Sequence, residues 1–230
     1  MKRIYYIILT FVSINLLSQN KIYTKEQCKL KHDSIFKNYF GEFFFKKNIK
    51  YNKEESYIDL YLTNDMKNDD DYKRIFLNIN NDNDIKRYKK EYPKFYSSDY
   101  YKYEFYYKGK VFYERIYTCE LVNDKELSDL INREIFDYYN KIKNKVYLSP
   151  KKATRIAKVN GLKNICYQSL TSASFHNKNR DVWQIQDCSN EITGKIIELD
   201  PKTGKVLTLF ERDYGKNGQA AYWLFFNKNK

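Results

Sequence analysis

Four cysteines and two histidines carry the widest chemical range in this chain, and their spacing limits what they can do. Cys28, Cys119, Cys166 and Cys188 form no C-x-x-C pair, and His32 and His176 stand in unrelated segments. A tetrahedral zinc site needs closely spaced ligands, so no metal site is expected. Neither histidine lies near a recognisable Ser or Cys nucleophile motif. His32, on a Lys-rich stretch, and His176, in a polar loop, both read as solvated surface residues. Carboxylates are plentiful, but nothing singles out two of them as the acid and base of a glycosidase. The turn Asp200-Pro201-Lys202-Thr203-Gly204 lacks the glycine spacing and the following helix of a phosphate loop and suits a hairpin instead. No catalytic residue and no cofactor are therefore assigned.

What remains for the cysteines is oxidation, which depends on where the chain goes. It begins with Lys2 and Arg3, continues with an apolar run from Ile4 to Leu17, and then turns polar, the order of a secretory signal. The run is shorter than the roughly 20 residues of a spanning helix, so residues 1–19 read as a signal peptide cut near Ser18 or Gln19. The mature chain is expected to be exported, periplasmic or extracellular, with no stable membrane span. An even number of cysteines in an exported chain forms a disulfide framework with three possible pairings. If Ile165–Leu170 and Val182–Cys188 are hairpin strands around a loop centred on Asn177, Cys166 faces Cys188 within bridging distance. Cys28 is then left for Cys119.

The net charge of +13 would ordinarily raise nucleic acid as a partner. Here 29 acidic residues are interleaved with the basic ones, as in "KKNIKYNKEES" and "NDNDIKRYKKEY", so no single-sign block forms. Residues with AT-rich codons dominate, which accounts for the lysine excess without a polyanion. No nucleic acid partner is expected.

These residues must be positioned by an α+β fold. Thr24 and Gln27 have capping-box spacing, and Cys28, Ile35, Phe36, Tyr39 and Phe40 recur at helical intervals up to Gly41, which gives a helix over Lys25–Phe40. Candidate strands follow in "EFFFKKNIKY", "SYIDLYL" and "RIFLNIN". "YYKYEFYYKGKVFYERIYTCELV" reads as a hairpin turning at Lys108-Gly109-Lys110, with Tyr on both faces; burying one face leaves tyrosines on the other. A second helix starts at Asn123 or Asp124 and carries a stripe of Leu127, Leu130, Ile131, Ile135, Tyr138 and Ile142. The chain divides near Tyr147 into an N-terminal α+β domain, 20–147, of helix and antiparallel sheet, and a C-terminal module, 148–230. Ser149 and Pro150 open a short helix there, and four strands follow it.

The module resembles a PepSY domain over about Ser149 to Phe210. The resemblance rests on Ala153-x-x-Ile156-Ala157-x-x-x-Gly161, Val182-Trp183-Gln184-Ile185, Gly194-Lys195-Ile196-Ile197-Glu198-Leu199-Asp200 and Lys202-Thr203-Gly204-Lys205-Val206-Leu207. It implies a small exported or membrane-associated helix-plus-sheet module, the kind found in propeptides of thermolysin-like metalloproteases, where it inhibits or chaperones the protease. This chain has no H-E-x-x-H motif and no protease after the module, so what carries over is a stand-alone binding role. Similar closing strands occur in some immunity-type proteins of toxin systems with a cone-like α+β fold, which supplies the alternative; an unrecognised hydrolase is a third reading.

Alternation in the Trp183 strand puts Trp183 and Ile185 on one face, beneath a helix whose Ala153, Ile156 and Ala157 leave room for a large ring. Trp183 is read as a core plug whose indole N–H finds a backbone partner. Gln184, on the opposite and more polar face, is expected to be dispensable for stability and available to a partner. Taken together, these residues point to an exported, non-catalytic binding protein that contacts another protein or modulates a peptidase.

Overall fold

The computed structural model describes residues 24–63, 72–92, 94–119, 124–172, 174, 176–189 and 193–213. The leader, Asn123 and the tail beyond Asp213 lie outside the described residues. Among those described, the order is α1 (Lys25–Phe40), α2 (Glu42–Asn48), β1 (Ile49–Thr63), β2 (Tyr72–Asn78), α3 (Asp82–Glu91), β3 (Lys94–Tyr107), β4 (Lys110–Thr118) and α4 (Lys125–Lys143). Then come α5 (Pro150–Val159), β5 (Ile165–Thr171), β6 (Val182–Asp187), β7 (Thr193–Leu199) and β8 (Val206–Asp213). The strands form two antiparallel four-stranded sheets, β2-β1-β3-β4 and β5-β6-β7-β8. The fold is thus α+β.

Helix α1 starts at a complete capping box: the Gln27 N–H donates to Thr24 Oγ1 at 3.2 Å and the Thr24 N–H to Gln27 Oε1 at 3.0 Å. It stops at Gly41, whose φ of +85° a side chain would resist. Its buried stripe is Cys28, His32 and Phe36, one residue per turn. His32 is therefore not a surface residue; it is 2% exposed, between the rings of Tyr101, Tyr103 and Tyr117.

The stretch "EFFFKKN", expected to be a strand, is helix α2. Helical spacing lets Phe44 stack on Phe40 at 5.2 Å and meet Tyr139 of α4 at 4.8 Å, and this packing outweighs the β-propensity of phenylalanine. Helix α4 is capped by Asp124, which accepts from the Leu127 N–H at 2.9 Å. Its inner stripe is Ile131, Ile135, Tyr138 and Ile142, while Leu127 and Leu130, expected on that stripe, are exposed. Leu130 lies about a third of a turn round the helix from that stripe, whereas Leu127 is close to its line and is exposed in the first turn.

In the second sheet α5 covers the face of Trp183, Ile185, Ile197 and Leu199, all buried, together with Ala153 and Ala157; Ile156 packs there half-buried. The opposite face is not open. The β5–β6 loop folds over it, so that Val182, Ile196 and Glu198 are buried as well. Ser174 Oγ donates to both Glu198 oxygens at 2.8 Å, Asn177 Nδ2 donates at 2.5 Å and Gln184 Nε2 at 3.1 Å. Gln184, expected to be dispensable for stability, is one of the donors to this buried carboxylate.

The sheets meet edge to edge at β4 and β5, joined through side chains. Gln168 Nε2 donates to the Val111 carbonyl at 2.8 Å, the Gln168 N–H to Glu114 Oε1 at 3.2 Å, and the Glu114 N–H to Ser169 Oγ at 3.3 Å. Tyr147, where composition divides the chain, is buried and donates from its hydroxyl to Asp181 at 2.5 Å, while the Leu148 N–H donates to the Pro201 carbonyl at 2.7 Å. A continuous set of buried apolar side chains runs through both sheets.

Candidate functional site

The cysteines pair as Cys28–Cys119 and Cys166–Cys188, with Cα separations of 5.6 and 5.7 Å. The second pair forms in a register different from the one used to argue it. Leu170 faces Trp183 and Thr171 faces Val182, so the hairpin is offset from Asn177. Ile165 faces Asp187 and Tyr167 faces Gln186, which leaves Cys166 as the extra residue of a bulge that turns it toward Cys188. The Trp183 indole N–H, expected to find a backbone partner, is buried and has no hydrogen-bond partner among the described residues. His176 is exposed, its ring 4.3 Å from that of Phe210.

The densest ionisable cluster lies on the face of β3 turned away from α1, at the seam between the sheets. Strand alternation sends Tyr101, Tyr103 and Phe105 toward α1 and Lys102, Glu104 and Tyr106 to the other side. Between Asn52 and Tyr57, β1 bulges out of register with β3. This excursion brings Glu55 back over Lys102: the Glu55 N–H donates to Asn52 Oδ1 at 3.0 Å, and Ser56 Oγ donates to the Asn52 carbonyl at 2.7 Å. The Lys102 ammonium is held between Glu55, at 2.5 Å, and Glu114 of β4. Glu104 accepts from Asn52 Nδ2 at 2.7 Å and from the Tyr106 hydroxyl at 2.5 Å.

Burial alone would lower the pKa of Lys102, but Glu114 and Glu55 outweigh it and hold the ammonium above its ordinary value. Burial pushes the Glu114 carboxyl up, and Lys102 opposes that rise. An ammonium held this firmly protonated has no lone pair at neutral pH, so it serves neither as nucleophile nor as base. What the cluster does is tie β1, β3, β4 and β5 together through Glu114, which bonds both Lys102 and the Gln168 backbone. Among the described residues no three His, Cys, Asp or Glu side chains converge as a metal-binding group, and no helix is long and apolar enough to cross a membrane.

A second feature faces outward. Tyr39, Phe43 and Phe136 are 39%, 78% and 43% exposed, although their neighbours Phe40, Phe44 and Tyr139 are packed inward. Phe136 lies 6.1 Å from Phe40 and 6.3 Å from Phe44, and Tyr39 lies 5.0 Å from Phe40, so the ledge is the outer layer of an aromatic stack rooted in the core. Lysines rim it: Lys47 Nζ sits 5.5 Å from the Phe43 ring centroid and Lys37 Nζ 5.3 Å from that of Phe45. The Tyr-rich hairpin does not supply such a surface: Tyr101, Tyr103, Tyr113 and Tyr117 are buried, and Tyr100, Tyr106 and Tyr107 are half-buried against Tyr57, Glu104 and Tyr139. The stretch "EFFFKK" did hold the signal: once it is read as a helix, three consecutive phenylalanines cannot all point inward.

No family model matches the chain, and no curated protein or solved structure matches it significantly.

Proposed function

We propose that this is an exported, disulfide-stabilised protein that acts by binding another protein through the aromatic ledge of α1, α2 and α4. The exposure of Phe43 at 78%, on a helix otherwise rooted in the core, carries this reading. A large ring held in water by a rigid support binds at low entropic cost. Beside it Lys37 and Lys46 pair with Glu42, at 3.6 and 3.2 Å, and Lys47 lies over the Phe43 ring, so a polar rim of mixed charge borders an apolar centre. Two disulfides agree with an oxidising compartment, and the leader agrees with export. The helix-then-four-strand order of α5 and β5–β8 supports the PepSY-like resemblance, and with it a modulating role toward a peptidase.

The test is crosslinking of the mature chain in its native envelope fraction, with the wild type and Phe43→Ser side by side. A protein captured by the wild type and lost from Phe43→Ser at an unchanged melting temperature supports the ledge. Identical capture by both proteins rules it out. If the captured protein is a peptidase whose turnover changes on addition of the chain, the modulating role is supported; if it is a toxin, the chain is an immunity-type protein.

A further inference from the structure

Strand β4 carries Tyr113, Arg115 and Tyr117 on one face, because alternate residues of a strand point the same way. That face meets the helices: the Tyr113 ring lies 6.0 Å from that of Tyr138 on α4, and the Tyr117 ring 5.3 Å from that of Phe36 on α1. Arg115, between them, is half-buried. Its Nη1 donates to the Tyr113 hydroxyl at 3.2 Å, and among the described residues it makes no ion pair. Burial alone would lower the guanidinium pKa, but Tyr113, Tyr117 and Glu134 outweigh it, so the charge stays. A half-buried charge with most of its N–H donors unspent calls for an acceptor.

Tyr117 has an unmet need of its own. It is 4% exposed, and its hydroxyl has no hydrogen-bond partner. Burial pushes its pKa well above the ordinary value, and the other groups that act on it are Tyr113, Arg115 and Glu134, so the hydroxyl faces them with its proton in place. Glu134 stands on α4 one turn before Tyr138, and its Oε1 accepts from the Tyr138 hydroxyl at 3.0 Å and from Ser172 Oγ at 2.9 Å. Arg115 and Glu134 are opposite charges that act on each other yet stay beyond ion-pair distance. Both are half-buried and Ser172 is exposed, so the space between them is reached from solvent past the end of β5.

We propose that this space binds a free α-amino acid, its carboxylate on the Arg115 guanidinium and the Tyr117 hydroxyl and its ammonium on Glu134. A carboxylate offers the planar pair of acceptors that a guanidinium matches, and the buried hydroxyl gains the bond it lacks. A plain carboxylate or phosphate is opposed by Glu134, and a plain amine by Arg115. A zwitterion with its two charges one carbon apart satisfies both. The site shares no residue with the aromatic ledge and stands independently of it.

The experiment titrates glycine, acetate, inorganic phosphate and methylamine separately into the full mature chain and follows the amide signals of β4 and α4 by NMR. Glycine is expected to shift them saturably, with a dissociation constant in the millimolar range that so small a ligand allows. Acetate, phosphate and methylamine should each bind at least about tenfold more weakly, since each leaves one charge of the site unmet. Arg115→Gln should weaken glycine at least about tenfold, and Glu134→Gln should erase most of the preference for glycine over acetate. Absence of a saturable shift, equal affinity for glycine and acetate, or unchanged affinity in Arg115→Gln overturns the proposal. Should Arg115→Gln fail to fold, Tyr117→Phe decides. The hydroxyl it removes has no bond in the free protein, so the variant keeps its melting temperature. Weaker glycine binding there supports the site, and unchanged binding refutes it.

Discussion

Lowering the pH should destabilise this protein through His32, with a slope that follows from its surroundings. Burial lowers the His32 pKa from 6.5 to about 4, only partly opposed by Asp33 and by the bond to the Thr118 backbone. The folded state therefore keeps the ring neutral in a range where the unfolded chain protonates it. Above pH 6.5 neither state binds the proton and His32 contributes no pH dependence. As pH falls below 6.5, unfolding is favoured by about 1.4 kcal/mol per pH unit until the folded ring also protonates near pH 4. The loss reaches roughly 2 kcal/mol at pH 5 and about 3 kcal/mol in the acid limit. Urea melts of wild type and His32→Phe at pH 7.5, 6.5, 5.5 and 4.5 isolate it, because carboxylates common to both proteins cancel in the difference. The wild type should lose stability relative to the variant between the second and the last of these. A constant gap across the series would mean that His32 titrates in the fold as it does in the unfolded chain, and the burial argument would fail.

The unpartnered Trp183 indole leads to a graded series: Trp183→Ala should cost about 3–5 kcal/mol, but Trp183→Phe, which loses no hydrogen bond, less than about 1.5. Equal losses in denaturant melts would show that the N–H has a partner after all. Gly204 has φ of +78°, and a Cβ there would sit 2.5 Å from Ile156 Cδ1 and 3.0 Å from Leu148 Cδ1. Gly204→Ala should therefore destabilise by about 1–3 kcal/mol. In an Ile156→Ala background the penalty should shrink to the backbone share of about 1–2 kcal/mol; unchanged cost there would assign all of it to φ.

The legible parts of this fold are those decided by neighbours in the chain. The Thr24–Gln27 box and Gly41 delimit α1, Lys108-Gly109 turns the β3–β4 hairpin, and the Ser149-Pro150 pair opens α5. Both disulfides follow from cysteine count and strand spacing, even though a bulge at Cys166 alters the register. What was not legible depends on distant residues. Helix α2 exists because α4 offers Phe136 and Tyr139 to Phe44, and α3 is a polar segment held by the Asn81 cap and the burial of Ile85. Glu55 reaches Lys102 only through an irregular excursion of β1, which no periodicity announces. His32 is a different kind of omission, because its spacing from Cys28 and Phe36 already placed it on the inner stripe of α1.

The distribution of charge bears on where recognition is to be sought. The ionic groups of the seam are turned inward on one another: Lys102 on Glu55 and Glu114, Glu104 on Asn52 and Tyr106. On the far sheet Glu198 is held by Ser174, Asn177 and Gln184. To recruit any of these, a partner would have to break bonds worth about 1 kcal/mol or more each and leave buried groups unsatisfied. The inner edges of the sheets are likewise closed to an added strand, since Gln168, Glu114 and Ser169 already satisfy the facing backbone groups. The aromatic rings of the ledge carry no such cost, and the nearby pairs of Glu42 with Lys37 and Lys46 are exposed ones. Covering the exposed parts of Tyr39, Phe43 and Phe136 yields about 3 kcal/mol at ordinary burial coefficients, less than the cost of association. Apolar contact there is therefore insufficient by itself, and on the proposed reading polar groups at the edge of the ledge, Lys47 or the Glu42 pairs of Lys37 and Lys46, would have to add to it. The proposed complex would then weaken as salt shortens the reach of those charges.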